Sequence, residues 1–114
     1  MNIHSSSIID PGAELGAGVS VGPFSIIGPH VQIGQETVIG SHALIEANTV
    51  IGEGCKIFHG ASIGGEPQIM GFEDISSSVE IGDGTVIREY ATIHRSGYKD
   101  GVTRIGKNCL LMAY

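Results

Sequence analysis

His94 and Arg95 stand side by side in the stretch IREYATIHRS, residues 87–96. A guanidinium makes paired, charge-assisted hydrogen bonds to phosphate or carboxylate oxygens, and an imidazole changes its charge near neutral pH. Such a pair suits an anionic substrate, and the competing reading is a surface pair that only stabilises an assembly. Gln68 closes FHGASIGGEPQ (58–68) and offers an amide from a loop, as a substrate contact or as an ordinary loop side chain. His30 and His59 read as turn or interface residues.

The elements that must carry these residues follow from a period of six. From Ile3 the aliphatic positions run Ile9, Leu15, Val21, Ile27, Ile33, Ile39, Ile45, Ile51, Ile57 and Ile63, then Ile69, Ile75, Ile81, Ile87 and Ile93. The phase misses at Lys99 and returns at Ile105 and Leu111. Six residues of α-helix turn through roughly 600°, which scatters the aliphatics over several stripes and defines no buried face. Flat strands fail too, because pairs such as Val38-Ile39 and Leu44-Ile45 point to opposite sides within two residues. The chain must turn at every repeat. Glycine often follows the aliphatic, as at Gly16, Gly22, Gly28, Gly34, Gly40 and Gly52, where the backbone is expected to bend and tolerate no Cβ. Four residues past each aliphatic the side chain is small or β-branched, as at Ser25, Thr37, Thr49, Cys55, Thr85 and Cys109, which fits the corners of a narrow tube. This is the hexapeptide rule of an all-β parallel β-helix in which each unit supplies one strand and one turn.

Composition narrows the partners. A formal charge of -6 with only six Lys and Arg argues against a nucleic-acid surface. No basic segment precedes an apolar run at the N-terminus and no apolar stretch is long enough for a membrane span, so a cytoplasmic protein is expected. Cys55 and Cys109 occupy the same repeat position; in unbroken register they lie three coils apart, roughly 14 Å, beyond disulfide reach. Both read as small core residues of a reducing compartment. Two stretches break the pattern. In GGEPQIMGFEDISSS (64–78) Met70 replaces the glycine and Glu73 the small corner residue. In SGYKDGVT (96–103) Lys99 falls at a core position where it cannot stay unpaired. The chain is expected to be a single domain, 1–114, with projecting loops near 65–79 and 96–104, and loops of this kind commonly form the functional face of a repeat array.

Beyond the repeat, VSVGPFSIIGPHVQIG (19–34), FHGASIGGEPQ (58–68), IREYATIHRS (87–96) and IGKNCLLM (105–112) together resemble the first half of the acyl-ACP:UDP-N-acetylglucosamine O-acyltransferase family, which begins lipid A synthesis. The resemblance implies a left-handed parallel β-helix of triangular section, about six coils of eighteen residues stacked at ~4.8 Å. It implies a homotrimer with active sites between neighbouring prisms. There a histidine acts as general base on the sugar 3-hydroxyl, which attacks the 3-hydroxyacyl thioester of acyl carrier protein. In the family that histidine lies in a His-x-Ala-His-Asp motif just past the residues matching LLM, beyond Tyr114, so no catalytic residue is expected within this chain. The later coils and a helical C-terminal domain are likewise expected outside it, making it an N-terminal part with no activity alone.

The substrate-binding residues that the resemblance suggests are His94, Arg95, Gln68 and Phe72. One departure bears on substrate. The family usually follows Glu-Pro-Gln with Asp-Leu-Lys-Tyr, whereas this chain has Ile69, Met70, Gly71 and Phe72, losing two charged contacts and keeping the aromatic. A relative acting on another nucleotide-linked amino sugar is the alternative, and a non-catalytic trimerisation or binding scaffold is the alternative of another class. No cofactor is implied. The γ-class carbonic anhydrases share the fold and need three converging imidazoles. Here only His42 and His59 come out nearly aligned, so no metal site is expected.

Counting by eighteens gives one outward face as Ile8, Ile26, Leu44, Ser62, Glu80 and Tyr98. The other two run Ser20, Val38, Lys56, Asp74, Thr92 and Glu14, Gln32, Val50, Gln68, Val86. Only the first stacks three aliphatics, and a contiguous exposed apolar strip is an interaction site. Ile8, Ile26 and Leu44 are therefore expected at the trimer interface.

Overall fold

The structure is a computed structural model that describes residues 1–72 and 76–114. Short parallel strands, most of two residues, stack into three sheets of six, five and five strands. Each strand pairs with the one three strands later, so the sheets are the walls of a left-handed parallel β-helix. Its Cα extents are 39 × 29 × 22 Å.

One side chain per strand fills the interior. Ile27, Ile45, Ile63 and Ile87 are at most 1% exposed, and Ile39, Ile51 and Ile57 at most 2%. The neighbouring residue points out, as Ile26, Val38 and Lys56 do. Backbone hydrogen bonds run from coil to coil, for example Gly28 N–H to Ile45 O at 2.8 Å. Handedness runs against the usual right-handed crossover preference.

The glycine after each core aliphatic has a different reason from a bend. Gly22, Gly34 and Gly82 are not in the left-handed region; a Cβ on Gly34 would lie 2.6 Å from the carbonyl carbon of Gly52 on the next coil. The left-handed residue comes two positions later. There φ is 59° at Phe24, 54° at His42 and 61° at Asn48, and glycine takes the position only at some corners, such as Gly18 and Gly84. Non-glycine residues tolerate this conformation at a cost, with Asn the most tolerant.

The small polar corner residues close a repeated circuit. Thr37 Oγ1 donates to Gly52 O (2.7 Å) and accepts from Cys55 N–H (3.1 Å). Ser25 does the same with Gly40 O and Ala43 N–H, and Thr85 with Gly106 O and Cys109 N–H. Each hydroxyl is fully buried and fully used.

The two irregular stretches change the register. Through three coils the offset is eighteen, with Asn2 on Ser20, Ser20 on Val38 and Val38 on Lys56. Lys56 then pairs with Val86, an offset of thirty, and Val86 with Leu110, an offset of twenty-four. The chain leaves the wall between the strands Ser62–Gly65 and Ser78–Ile81, and again between Thr92–His94 and Val102–Ile105. Both surpluses are multiples of six. The sequence phase therefore survives while the coil count does not, and three expectations change. Ile69 is not a core residue and is 55% exposed; Ile75 lies outside the described residues. The first face continues from Ser62 to Thr92, not to Glu80 and Tyr98; Val86 follows Lys56, and Glu80 and Arg104 follow Val50 where Gln68 and Val86 were expected. Glu73 and Asp74 also lie outside the described residues. Finally, Cys55 and Cys109 are two coils apart, with Thr85 between them, roughly 10 Å by coil spacing. Both are free thiols. Lys99 is exposed in the second excursion.

Candidate functional site

The strand Ser62–Gly65 is longer than its neighbours and breaks register against Thr92–His94, so that Ile63 faces Ile93 but Gly65 faces His94. Gly64 takes φ +88° there, and a Cβ on it would collide with Thr49 Oγ1 at 2.3 Å. The corner circuit fails at this point. Val79 N–H, which by analogy should meet the Thr49 hydroxyl, donates instead to Asn48 O (3.1 Å), and Thr49 Oγ1 is left buried without a partner. An irregularity of this kind re-aims the chain beside it.

What it re-aims is the His94-Arg95 pair. Arg95 N–H donates to Gly65 O at 2.8 Å, and His94 Nδ1 lies 2.9 Å from Glu66 O. A carbonyl only accepts, so Nδ1 carries the hydrogen and the Nε2 of the neutral ring is left as an acceptor. Glu46, Ala47, Asn48, Gly64, Glu66 and Arg95 line a cavity of about 420 Å³ at this place. Above Gly65, a methyl group would sit 3.1 Å from Glu46 Oε2 and 3.2 Å from His94 Nδ1. Glu46 and His94 thus close over Gly65, beside a cavity that Glu66 and Arg95 also line.

Gln68 and Phe72 lie elsewhere, in a neighbouring concavity of about 410 Å³ that includes Pro67, Ile69 and Met70. Glu66 borders both spaces. Ile69 Cδ1 rests against Gly97 of the second excursion, where a Cβ would meet it at 2.3 Å, and Asp100 N–H donates to Ser76 O, so the two excursions touch. Gln68 is exposed and Phe72 half-buried.

Glu46 and Glu66 were missed from sequence. A signal existed for Glu46, which follows core Ile45 at a position where the repeat usually has glycine. None marked Glu66, whose role depends on the register break.

His42 and His59 belong to a different corner. Phe24, His42, His59, Tyr90 and Tyr114 form a ladder of rings with successive centroids 5.2, 5.3, 5.2 and 5.5 Å apart. Both nitrogens of His59 are engaged, Nδ1 with Ser41 Oγ (2.9 Å) and Nε2 with Tyr90 Oη (2.8 Å). His30 is an exposed turn residue with φ 56°.

Residues 12–47 match the family described as bacterial transferase hexapeptide, six repeats. The chain is 61% identical over 115 residues to an acyl-(acyl-carrier-protein) UDP-N-acetylglucosamine O-acyltransferase of Sulfurihydrogenibium sp. and 56% identical to one of Aquifex aeolicus. All of this chain is covered in both alignments, but only 42% and 44% of the relatives. The chain therefore spans less than half the length of the curated relatives it matches. Among solved structures, a UDP-N-acetylglucosamine acyltransferase from Campylobacter jejuni superposes with a TM-score of 0.92 at 38% identity, over 99% of this chain and 44% of that one. The Francisella novicida UDP-N-acetylglucosamine acyltransferase gives 0.92 at 41% identity, over 96% and 41%.

Proposed function

The chain belongs to the hexapeptide-repeat acyltransferases and matches the N-terminal part of acyl-(acyl-carrier-protein) UDP-N-acetylglucosamine O-acyltransferases, and on that premise we propose that it carries part of the acceptor-binding surface of such an enzyme. In the proposed reaction the sugar 3-hydroxyl attacks the thioester carbonyl of acyl carrier protein. A C–O bond forms, the C–S bond breaks, the carrier thiol departs, and the hydroxyl proton passes to a general base contributed by the rest of the enzyme. Within this chain Arg95 meets the diphosphate, and His94 Nε2 accepts a hydrogen bond from the sugar. Gln68 and Phe72 border the path of the acyl group. The assembly is a homotrimer acting in the cytoplasm as the first step of lipid A synthesis. No helix among the described residues is long and apolar enough to cross a membrane.

The observation that carries this reading is the fixed geometry of His94 and Arg95. Both are held through backbone carbonyls at the register break, beside a cavity with charges of both signs. A second reading, another nucleotide-linked amino sugar as acceptor, is favoured by Ile69, whose apolar side chain packs on Gly97 where the relatives' pattern has a carboxylate. Titration calorimetry with UDP and UDP-N-acetylglucosamine tests the proposal. Arg95→Ala is expected to weaken both ligands about tenfold, as for a lost charge-assisted hydrogen bond. His94→Ala is expected to weaken only the sugar nucleotide. Unchanged affinities in both variants would refute the acceptor site.

A further inference from the structure

We infer that Pro67 is a positioning residue for His94: it leaves the peptide unit beside the ring with an acceptor and no donor, and so locks the imidazole in the tautomer that carries its hydrogen on Nδ1. This rests on the acceptor reading above, in which the other nitrogen, Nε2, accepts from the sugar.

The peptide unit next to the ring could select either tautomer. An imidazole nitrogen beside a carbonyl carries the hydrogen, and one beside an N–H gives it up. His94 Nδ1 lies 2.9 Å from Glu66 O, and the nitrogen of that same peptide unit belongs to Pro67. In any other residue this nitrogen would bear a hydrogen. A half-turn of the peptide plane would then bring N–H toward Nδ1 in place of C=O, and the ring would move its hydrogen to Nε2. Proline has no N–H to present.

Proline also opposes the half-turn itself. Its ring crowds the residue before it and disfavours the helical backbone that Glu66 would need. Pro67 is buried although Glu66 and Gln68 on either side of it are exposed, so packing holds the ring in place. The flanking carbonyls are already committed: Gly65 O accepts from Arg95 N–H and Pro67 O from Ile69 N–H, both at 2.8 Å. Three successive carbonyls thus have fixed directions, and the middle one faces His94. The contrast is His59, whose two nitrogens meet the hydroxyls of Ser41 and Tyr90. A hydroxyl donates or accepts, so those partners admit either tautomer.

Nitrogen-15 NMR of the ring nitrogens in alkaline buffer, where an imidazole is neutral, reads the tautomer without any ligand. The unsubstituted chain is expected to show His94 with its hydrogen on Nδ1 alone. Pro67→Ala and Pro67→Val, the second of which keeps more of the buried volume, restore an N–H at position 67. Both are expected to give His94 a mixture of tautomers, with the His59 signals unchanged as an internal control of the fold. Calorimetry should then find UDP-N-acetylglucosamine bound about fivefold more weakly, because the competent fraction of His94 has fallen, and UDP bound as before. Hydrogen on Nε2 in the unsubstituted chain overturns the inference, as does a single Nδ1–H tautomer that persists in both variants. A tautomer that changes with no change in affinity for UDP-N-acetylglucosamine refutes the acceptor reading of His94 and leaves the lock on its ring.

Discussion

At the scale of single residues, the buried corner hydroxyls make a comparison that separates hydrogen bonding from packing. Thr37→Val removes a donor to Gly52 O and strands the buried Cys55 N–H, and should cost about 1–3 kcal/mol in urea unfolding. Thr49→Val is the same isosteric change at a hydroxyl without a partner, and should be neutral or stabilising. Equal losses would mean that the hydroxyls matter only for shape. The cysteines make a second comparison. Burial pushes the Cys55 thiol above its ordinary range, and the side chain is wholly enclosed, whereas Cys109 is partly exposed. Native-state alkylation followed by mass spectrometry should label Cys109 and spare Cys55. Because the folded-state value of Cys55 is raised, its contribution to stability is present below the ordinary thiol range and declines as pH rises through the folded value. Cys55→Ala should flatten that alkaline decline in a pH series of melts.

At the scale of elements, coil stacking and excursion length are separable. Gly34→Ala places a Cβ 2.6 Å from the backbone of Gly52, where no flexible side chain can give way, and should cost about 3 kcal/mol or more. Gly54→Ala meets nothing within 4 Å and suffers only its left-handed φ of +62°, so about 1–2 kcal/mol is expected. The excursions behave as insertions between intact strands. Deleting residues 66–77 returns the coil offset from thirty to eighteen and keeps every aliphatic inward. The deletion should retain the β signal in circular dichroism, while the cut 66–74 breaks the phase and should not. The arrangement also explains why the first excursion was legible as a loop, from Met70 at a glycine position, while its effect on the coil count was not.

For the whole molecule, the aliphatic strip of exposed Ile8 and Ile26 and half-buried Leu44 survives the corrected register, because all three lie before the first excursion. Ile8 is 63% exposed and Ile26 43%. We propose this strip as the trimer interface. Ile26→Lys with Leu44→Lys should abolish trimers in sedimentation equilibrium and leave the circular dichroism unchanged, since neither side chain enters the core. A trimer that persists removes the strip from the interface.

The sequence determined the period, the inward set from Ile3 to Ile63, the corner residues and the tube they enclose. All of these follow from local side-chain chemistry repeated at a fixed spacing. It also brought out His94 and Arg95 as neighbours with the right chemistry. Tertiary structure decided which coils are adjacent after Gly65, because excursions in multiples of six leave the sequence phase intact while moving the residues between the two excursions to another wall. For the same reason, Glu80 moved from the first face to the third, Thr92 from the second to the first, and the cysteines one coil closer. The cavity joining Glu46, Glu66 and Arg95 is also a tertiary product. Residues so far apart in the chain meet only where the strand Ser62–Gly65 slips against Thr92–His94, and that slip is set by packing between coils.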